Sequence, residues 1–426
     1  MEHSKSKIKK LGSKIRKEYR ENGEISQESL EVLHDYRISF KDPMSDIFRT
    51  VTKESRKIRS SAVRTYRIKR IESIISKLKR EENMGLIEMG DIAGCRIIVK
   101  NEVYIPKIVE AIKAKLNVVK ERDYILKPRK SGYKSHHLMI QPDIDDNFKR
   151  LVEVQIRSQE HHNWATLVEI TDQLYRVKVK EGEEHEKLKR FHFLLSKKLS
   201  DLTLDQMVEI IEIEKEFNIY RGIIKVILKN YIKLRSAWLK LNHDKKDKYF
   251  ILEVSPSYET EITTFSDFEE AQAVYLLKFI KTPNNVVLTH ISNASFDNIS
   301  SAYSNYVLTM HKYELDIFRI LFEVLNAYSN NRNIDGFNNY LQYTSTIFGN
   351  TKKHIIKSIN KINNTNYSQE KKDEWITELS ERVNNIEPLY NQILKIEAPK
   401  SGKVKISKQK PEKNNTYKKF INWLNT

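Results

Sequence analysis

The stretch H-H-L-M-I-Q-P-D-I-D-D-N-F-K-R-L-V-E-V-Q-I-R-S, residues 136–158, decides the fold. Its ends, His136–Gln141 and Leu151–Ser158, read as strands. The short connection between them leaves no room for the helix that a parallel pair needs, so the sheet they join is mixed. Along Leu151–Arg157, alternation puts Val152, Val154 and Ile156 on one face and Glu153, Gln155 and Arg157 on the other. An acid, an amide and a guanidinium are expensive to bury on one strand face without partners. Such a carboxylate can bind a cation, and such a guanidinium can clamp a phosphate. An edge strand with its polar face in water accounts for the same pattern.

Outward from this stretch, short strands alternate with helices. Ala62–Arg67 and Ile92–Val99 read as strands, Arg70–Arg80 and Ile105–Leu116 as helices, and Asn117–Ile125 as a further strand. Lys127–Gly132 is a loop, and His161–Tyr175 a helix. The organisation expected is helices over 1–60, with a start near Ser26 and Glu28 and a break at Pro43, and an α/β core over 61–182. A helical connector follows at 183–245. A second small α/β lobe spans 246–310, with strands Tyr249–Val254, Glu261–Thr264 and Asn285–Ser292 and a helix Phe268–Lys281. A helical region at 311–396 and a basic, flexible tail at 397–426 complete the chain.

Composition narrows the class. The chain has 426 residues, 39% hydrophobic and 31% charged, enough for real cores. A single cysteine, Cys95, excludes a disulfide scaffold and a Cys-cluster zinc site. With no signal peptide and no long apolar run, a soluble cytoplasmic protein without membrane association is expected. The net charge is +18. Arg49–Arg80 holds twelve basic and two acidic residues, and Ala398–Thr426 eight and one. A polyanionic partner accounts for this concentration; so do solvated helix faces. No GxxxxGK[ST] or GxGxxG run is present, so P-loop and dinucleotide-binding readings fall. The pairs His161–His162, His185 with His192, and His243–Asp244 lack further ligands at metal spacing.

Four sites carry candidate chemistry. Arg67-Ile68-Lys69 leads into a helix in which Lys69, Ser73 and Lys77, spaced by four, share one face and suit a triphosphate. Asp91 enters the strand that carries Gly94 and Arg96, and offers a second ligand beside Glu153 for a hard cation such as Mg²⁺. Lys127-Pro-Arg-Lys-Ser-Gly-Tyr133 is a basic loop whose Gly132 permits a tight turn; Tyr133 is then free to stack a base, with His137 on its side. The fourth is the Glu153–Arg157 face itself.

R-I-K-R-I-E-S-I-I-S-K-L at 67–78, D-I-A-G-C-R-I-I at 91–98, R-D-Y-I-L-K-P-R-K-S-G-Y-K-S-H-H at 122–137 and E-V-Q-I-R-S at 153–158 stand in the order of the RelA/SpoT synthetase domain. The resemblance covers about residues 50–180, without the partner hydrolase domain, and so is to the small synthetase-only members. It implies a nucleotidyltransferase-like α+β fold, a mixed sheet flanked by helices. It further implies an ATP pyrophosphotransferase that moves the β,γ-diphosphate of ATP to a ribose 3′-hydroxyl and leaves AMP. By that resemblance Arg67 stacks on adenine. Lys69, Ser73, Lys77 and Arg96 hold the ATP phosphates. Asp91 and Glu153 bind Mg²⁺; with Arg96 they form the catalytic set, and Glu153 helps take the proton from the attacking hydroxyl. Tyr133 stacks the acceptor base, and Arg129, Lys130, His137, Gln155 and Arg157 line the acceptor side.

Two departures bear on the acceptor. The loop has Arg129 and Ser131 where the family has Lys and Asn, and Trp164-Ala-Thr-Leu-Val-Glu169 resembles the toxin and phage-defence members. Some of those modify the 3′-terminal adenosine of tRNA. Tyr303 and Tyr306 resemble the YxxY pair with which fused members such as CapRel block their own nucleotide site; two packing tyrosines are the plainer account. The expectations are therefore a tRNA-directed, autoinhibited enzyme released by a trigger protein, an alarmone synthetase making (p)ppGpp from GDP or GTP, or an inactive nucleotide- or RNA-binding regulator.

Overall fold

A computed structural model describes residues 4–143, 150–175, 186–241, 249–256, 258–281, 285–292, 295–309 and 311–399. The tail from residue 400, His185 and the His243–Asp244 pair lie outside them.

Three helices open the chain: α1 (Lys5–Asn22), α2 (Gln27–Ile38) and α3 (Lys41–Ile58). Ser26 caps α2, its hydroxyl accepting from the Ser29 N–H. Pro43 is no break: it sits in the first turn of α3, where its missing N–H has no partner to lose. The core follows as β1 (Val63–Ile68), α4 (Ile71–Arg80), β2 (Ala93–Val99), α5 (Ile105–Lys113), β3 (Val118–Asp123), β4 (His136–Ile140), β5 (Val152–Ser158) and α6 (Gln159–Tyr175). Then come α7 (Glu186–Leu195), α8 (Leu204–Phe217) and α9 (Ile219–Lys240). The second lobe supplies β6 (Tyr249–Val254), β7 (Thr260–Phe265), α10 (Phe268–Lys281), β8 (Asn285–Ile291) and α11 (Phe296–Ala302). The chain closes with α12 (Tyr313–Asn330), α13 (Ile334–Asn363) and α14 (Gln369–Ile393).

All eight strands form one mixed sheet in the order β3-β4-β5-β2-β1-β8-β6-β7. Only the β2–β5 pair is parallel; β4 and β5 pair antiparallel, as their short connection demands. β5 is thus an interior strand, which removes the edge-strand account of its polar face. The second lobe joins the core edge to edge, because β8 pairs with β1.

Strand alternation divides the sheet into two faces. On the back, Cys95, Ile97, Leu138, Val154, Ile156, Ile251 and Leu288 pack with residues of α1–α5 and α10 in one apolar core. On the front, Arg67, Gly94, Glu153 and Met139 fall in register across β1, β2, β5 and β4. Farther along the same face, Phe250, Leu252, Val287 and Ile291 are covered by α11, Tyr303 and Tyr306. The front is therefore polar over one half and apolar over the other. A third core joins α7–α9 to α12–α14, with Phe191, Ile227, Phe318, Ile355 and Trp375 inside it. Among the described residues no helix is long and apolar enough to cross a membrane.

Candidate active site

Lys69 lies in the link between β1 and α4, not on the helix: α4 starts at Ile71, with Arg70 as its N-cap. The link still brings Lys69 to Lys77. Lys69 Nζ stands 2.6 Å from Oδ2 of Asp91, and Lys77 Nζ 2.9 Å from Oδ1. Burial acts to raise the Asp91 carboxyl, but the two ammoniums outweigh it and hold the group at about 2. Burial lowers Lys69, against the pull of Asp91. Ser73, on the same helix as Lys77, is half-buried.

Glu153 occupies the middle of the front face. Its Oε1 is 2.7 Å from His137 Nδ1, and its Oε2 accepts from Gln155 Nε2 at 2.7 Å. Arg157 Nη2 donates to Gln155 Oε1 at 2.5 Å and to the Tyr133 hydroxyl at 2.7 Å, and that hydroxyl lies 2.9 Å from His137 Nε2. One guanidinium therefore feeds both carboxylate oxygens by two routes. Burial acts to raise the Glu153 carboxyl and His137 leads the groups that keep it below the usual value; burial lowers His137, against Glu153. The charge of Asp91 opposes ionisation of Glu153, which places the two carboxylates within electrostatic reach. Gly94, opposite Glu153 in the β2–β5 register, puts no side chain on the front face beside it.

Two ionised carboxylates with cations on both sides fit a magnesium ion, which takes one or two carboxylates and leaves its other positions to phosphates and water. Asp91 and Glu153 are the residues that would hold it. Among the described residues no cluster of three or more His, Cys, Asp or Glu side chains offers an alternative metal cage.

Gly132 has φ 91°, and the turn closes through Gly132 N–H to Arg129 O at 2.8 Å. This turn sets the Tyr133 ring edge-on to Trp164, with centroids 6.4 Å apart. Arg129 lies over the Tyr124 ring and donates to its hydroxyl at 3.1 Å, while Lys130 is exposed at the tip. Tyr124 is a neighbour the sequence reading missed; its place two residues beyond Arg122 on an exposed strand end gave no signal.

Arg96 completes the face. It is half-buried; desolvation lowers its guanidinium to about 10, and its Nη1 donates to the Ala302 carbonyl at 3.4 Å. Here the second lobe reaches the site. Tyr303 is hydrogen-bonded to Thr289, the residue paired with Arg67 across β1 and β8. Tyr306 donates to Asn285 Oδ1 at 3.1 Å; burial raises its hydroxyl to about 12, while Arg70 and Arg67 oppose the rise. Asn305 donates to Glu169 at 2.6 Å, and His162 Nε2 lies 2.9 Å from the Ser301 carbonyl. Residues 301–306 thus lie between the front face and α6.

The basic stretch Arg49–Arg80 is not one continuous surface. Arg59, Arg64, Arg67, Lys69, Arg70 and Lys77 are buried or half-buried, and Arg64 donates to Ser55 Oγ at 2.7 Å and to the Ala62 carbonyl at 2.6 Å. Arg49, Lys53, Arg56 and Lys57 are exposed on α3, on the back of the sheet.

Residues 66–180 match the RelA_SpoT family, described as a region found in RelA / SpoT proteins. That span is a RelA/SpoT-type region. The chain is 36% identical over 110 residues to GTP pyrophosphokinase YjbM of Bacillus subtilis (strain 168), covering 24% of this chain and 52% of that protein. It is 38% identical over 111 residues to GTP pyrophosphokinase YwaC of the same organism, covering 24% and 53%. The chain thus spans about half the length of the curated relatives it matches. Among solved structures, small alarmone synthetase 1 from Bacillus subtilis bound to its product pppGpp is 27% identical, with 43% of this chain and 95% of that chain covered and a TM-score of 0.31. A GTP pyrophosphokinase family protein from Streptococcus pneumoniae is 22% identical, with 45% and 93% covered and a TM-score of 0.33.

Proposed function

We propose that the chain transfers the β,γ-diphosphate of ATP to a ribose 3′-hydroxyl and releases AMP. The observation that carries this reading is the half-buried pair of ionised carboxylates, Asp91 and Glu153, one held by two ammoniums and the other by the network of His137 and Tyr133. Phosphoryl-type transfer needs positioning and charge neutralisation more than covalent chemistry. Lys69, Lys77, Ser73 and Arg96 would hold the donor phosphates, and Arg67 the adenine. Tyr133 would stack the acceptor base, with Arg129, Lys130, His137, Gln155 and Arg157 around it. Glu153 would accept the proton of the attacking hydroxyl. Asp91 and Glu153 would hold a magnesium ion, which would supply positive charge against that of the phosphates.

For the acceptor, GDP or GTP is the reading the relatives' names support, and half of the twelve basic residues of Arg49–Arg80 turn inward, which weakens the argument for an extended RNA. The 3′-terminal adenosine of tRNA stays as the second reading, because Lys130 and Arg129 leave an exposed basic turn beside Tyr133. In either case residues 301–306 would act as a brake at the border of the donor half, and a trigger protein would release it.

Label transfer tests the reading. Purified protein with γ-³²P-ATP and Mg²⁺ is offered GDP, GTP or deacylated tRNA separately. Label in a guanosine nucleotide supports the alarmone reading, and label in the RNA band the second. No label in either, also after Tyr303→Ala with Tyr306→Ala, overturns both and leaves a regulator without transfer activity.

A further inference from the structure

The second lobe meets the RelA/SpoT region from both sides of the sheet. On the front, α11 and Tyr303 cover the apolar half and reach its border with the donor half at Arg96 and Thr289. On the back, α10 reaches the start of α4. Arg70, the N-cap of α4, makes no side-chain cap bond. The first N–H of the helix, that of Ile71, donates instead to the hydroxyl of Tyr275 at 3.2 Å. Helix N-termini leave such N–H groups orphaned, and Tyr275, fully buried and 204 residues downstream, supplies the missing acceptor.

The same link is held from the N-terminal side. Arg37 on α2 is fully buried, and its Nε donates to the Lys69 carbonyl at 2.8 Å. Its guanidinium lies 4.6 Å from the centroid of the Tyr275 ring, and His34 stacks on that ring at 6.3 Å. The Lys69 N–H donates to Ile92 O at 2.7 Å, beside Asp91. Three bonds therefore hold the two ends of the link, Lys69 and Ile71, between the strand that carries Arg67 and the helix that carries Ser73 and Lys77.

We infer that Tyr275 is a positioning residue for the donor side: its hydroxyl caps α4 and, with Arg37, sets where Lys69, Ser73 and Lys77 stand. The inference rests on the reading of those three residues as ATP-phosphate ligands. It divides the second lobe into two parts with opposite effects. β8 and α10 support the donor site and stay with it; residues 295–309, on the other face, are the part that can leave. Removing the whole lobe would then destroy activity, not release it.

The test uses the full chain carrying Tyr303→Ala and Tyr306→Ala, with Tyr275→Phe added. The substitution removes one hydroxyl and keeps the ring against Arg37 and His34. The expected result is faster hydrogen exchange at the Ile71 amide, an ATP KM raised about tenfold, and an unchanged acceptor KM. Phe268→Leu on the same helix serves as the control. It destabilises the lobe without touching residues 69–71, so both KM values stay put. Unchanged Ile71 exchange overturns the inference, and so does an equal loss on both substrates. If no variant uses ATP, the transfer reading fails on its own account, and the Ile71 exchange rate still decides whether Tyr275 is the cap.

Discussion

His137 Nδ1 stands 2.7 Å from Oε1 of Glu153, and burial keeps the ring's pKa below its usual 6.5. A neutral imidazole has one donor and one acceptor. With the proton on Nδ1, the ring donates to Glu153 and accepts from the Tyr133 hydroxyl, which accepts from Arg157. The hydrogen bonds then run one way, from the guanidinium to the carboxylate. Protonating the ring reverses the Tyr133 bond and breaks that order. Both His137 and Glu153 have depressed folded-state values. Their contributions are therefore complete above pH 6.5 and 4.5 respectively and fade on acidification. The transfer rate is expected to hold level from about pH 8 down to pH 6.5 and to fall only below it. A pH–rate profile at saturating substrates checks this, and an acid limb centred above pH 6.5 contradicts the network.

Asp91→Asn removes the one charge that neutralises both Lys69 and Lys77. Those lysines are 22% and 18% exposed at the side chain, so the loss is felt in a partly dry site. The variant is expected to lose transfer activity and about 2 kcal/mol of stability at pH 7. The folded carboxyl sits at about 2 against 3.8 in the open chain. Its contribution is thus complete above 3.8 and is lost as pH falls toward 2. Urea unfolding of both proteins at pH 7 and near pH 3 measures the gap, which should narrow at the lower pH. A gap that stays constant or widens there would mean that the lysines do not set the Asp91 charge.

Much of this was readable from residues alone, for a physical reason. The polar face Glu153-Gln155-Arg157 breaks the apolar rule of a central strand, and the bonds of these side chains to one another, His137 and Tyr133 compensate the break. The connection between β4 and β5 fixed their antiparallel pairing. Other features carry no local signal. Pro43 reads as a break because its ring excludes the helix interior, yet the first turn tolerates it. Lys69 and Lys77 share the four-residue spacing of a helix face, but they meet at Asp91 through a link that happens to end beside the helix. The pairing of β8 with β1 and the cap that Tyr275 places on α4 join residues about two hundred positions apart, and no periodicity in either segment announces its partner. The charge of Arg49–Arg80 misled in one respect: net charge counts Arg64 and Arg70, which the fold turns inward.

Tyr303 and Tyr306 are 1% and 2% exposed, so they pack as core residues while standing over Arg67, Arg70 and Arg96. If residues 301–306 are a brake, Tyr303→Ala with Tyr306→Ala raises the transfer rate at least about tenfold, the shift expected when a closed state loses its anchors. The cavities left behind also lower stability by several kcal/mol. Tyr303→Phe with Tyr306→Phe keeps the packing and removes only the bonds to Thr289 and Asn285, so it should raise the rate less and leave the melting temperature nearly unchanged. Initial rates and thermal melts of the two double variants separate release from unfolding. A rate unchanged in both reduces the pair to packing.

Arg382 on α14 connects the C-terminal helices to the same segment. Its Nη2 donates to Glu314 Oε2 at 2.5 Å with both side chains 5% exposed, and its Nη1 donates to the Thr309 carbonyl at 3.4 Å. Glu314 in turn accepts from the His311 N–H at 3.2 Å. One buried ion pair thus holds the chain immediately after Tyr306. Arg382→Met leaves Glu314 buried without its countercharge and is expected to cost about 3–5 kcal/mol, while adding Glu314→Leu recovers most of that loss, since well-packed apolar pairs replace buried ion pairs at little cost. Unfolding measurements on the two variants and the wild type give the comparison. The transfer assay adds a second readout. If the pair anchors the cover, the double variant regains stability but stays faster than the wild type. If it serves only the helical core, rate and stability recover together.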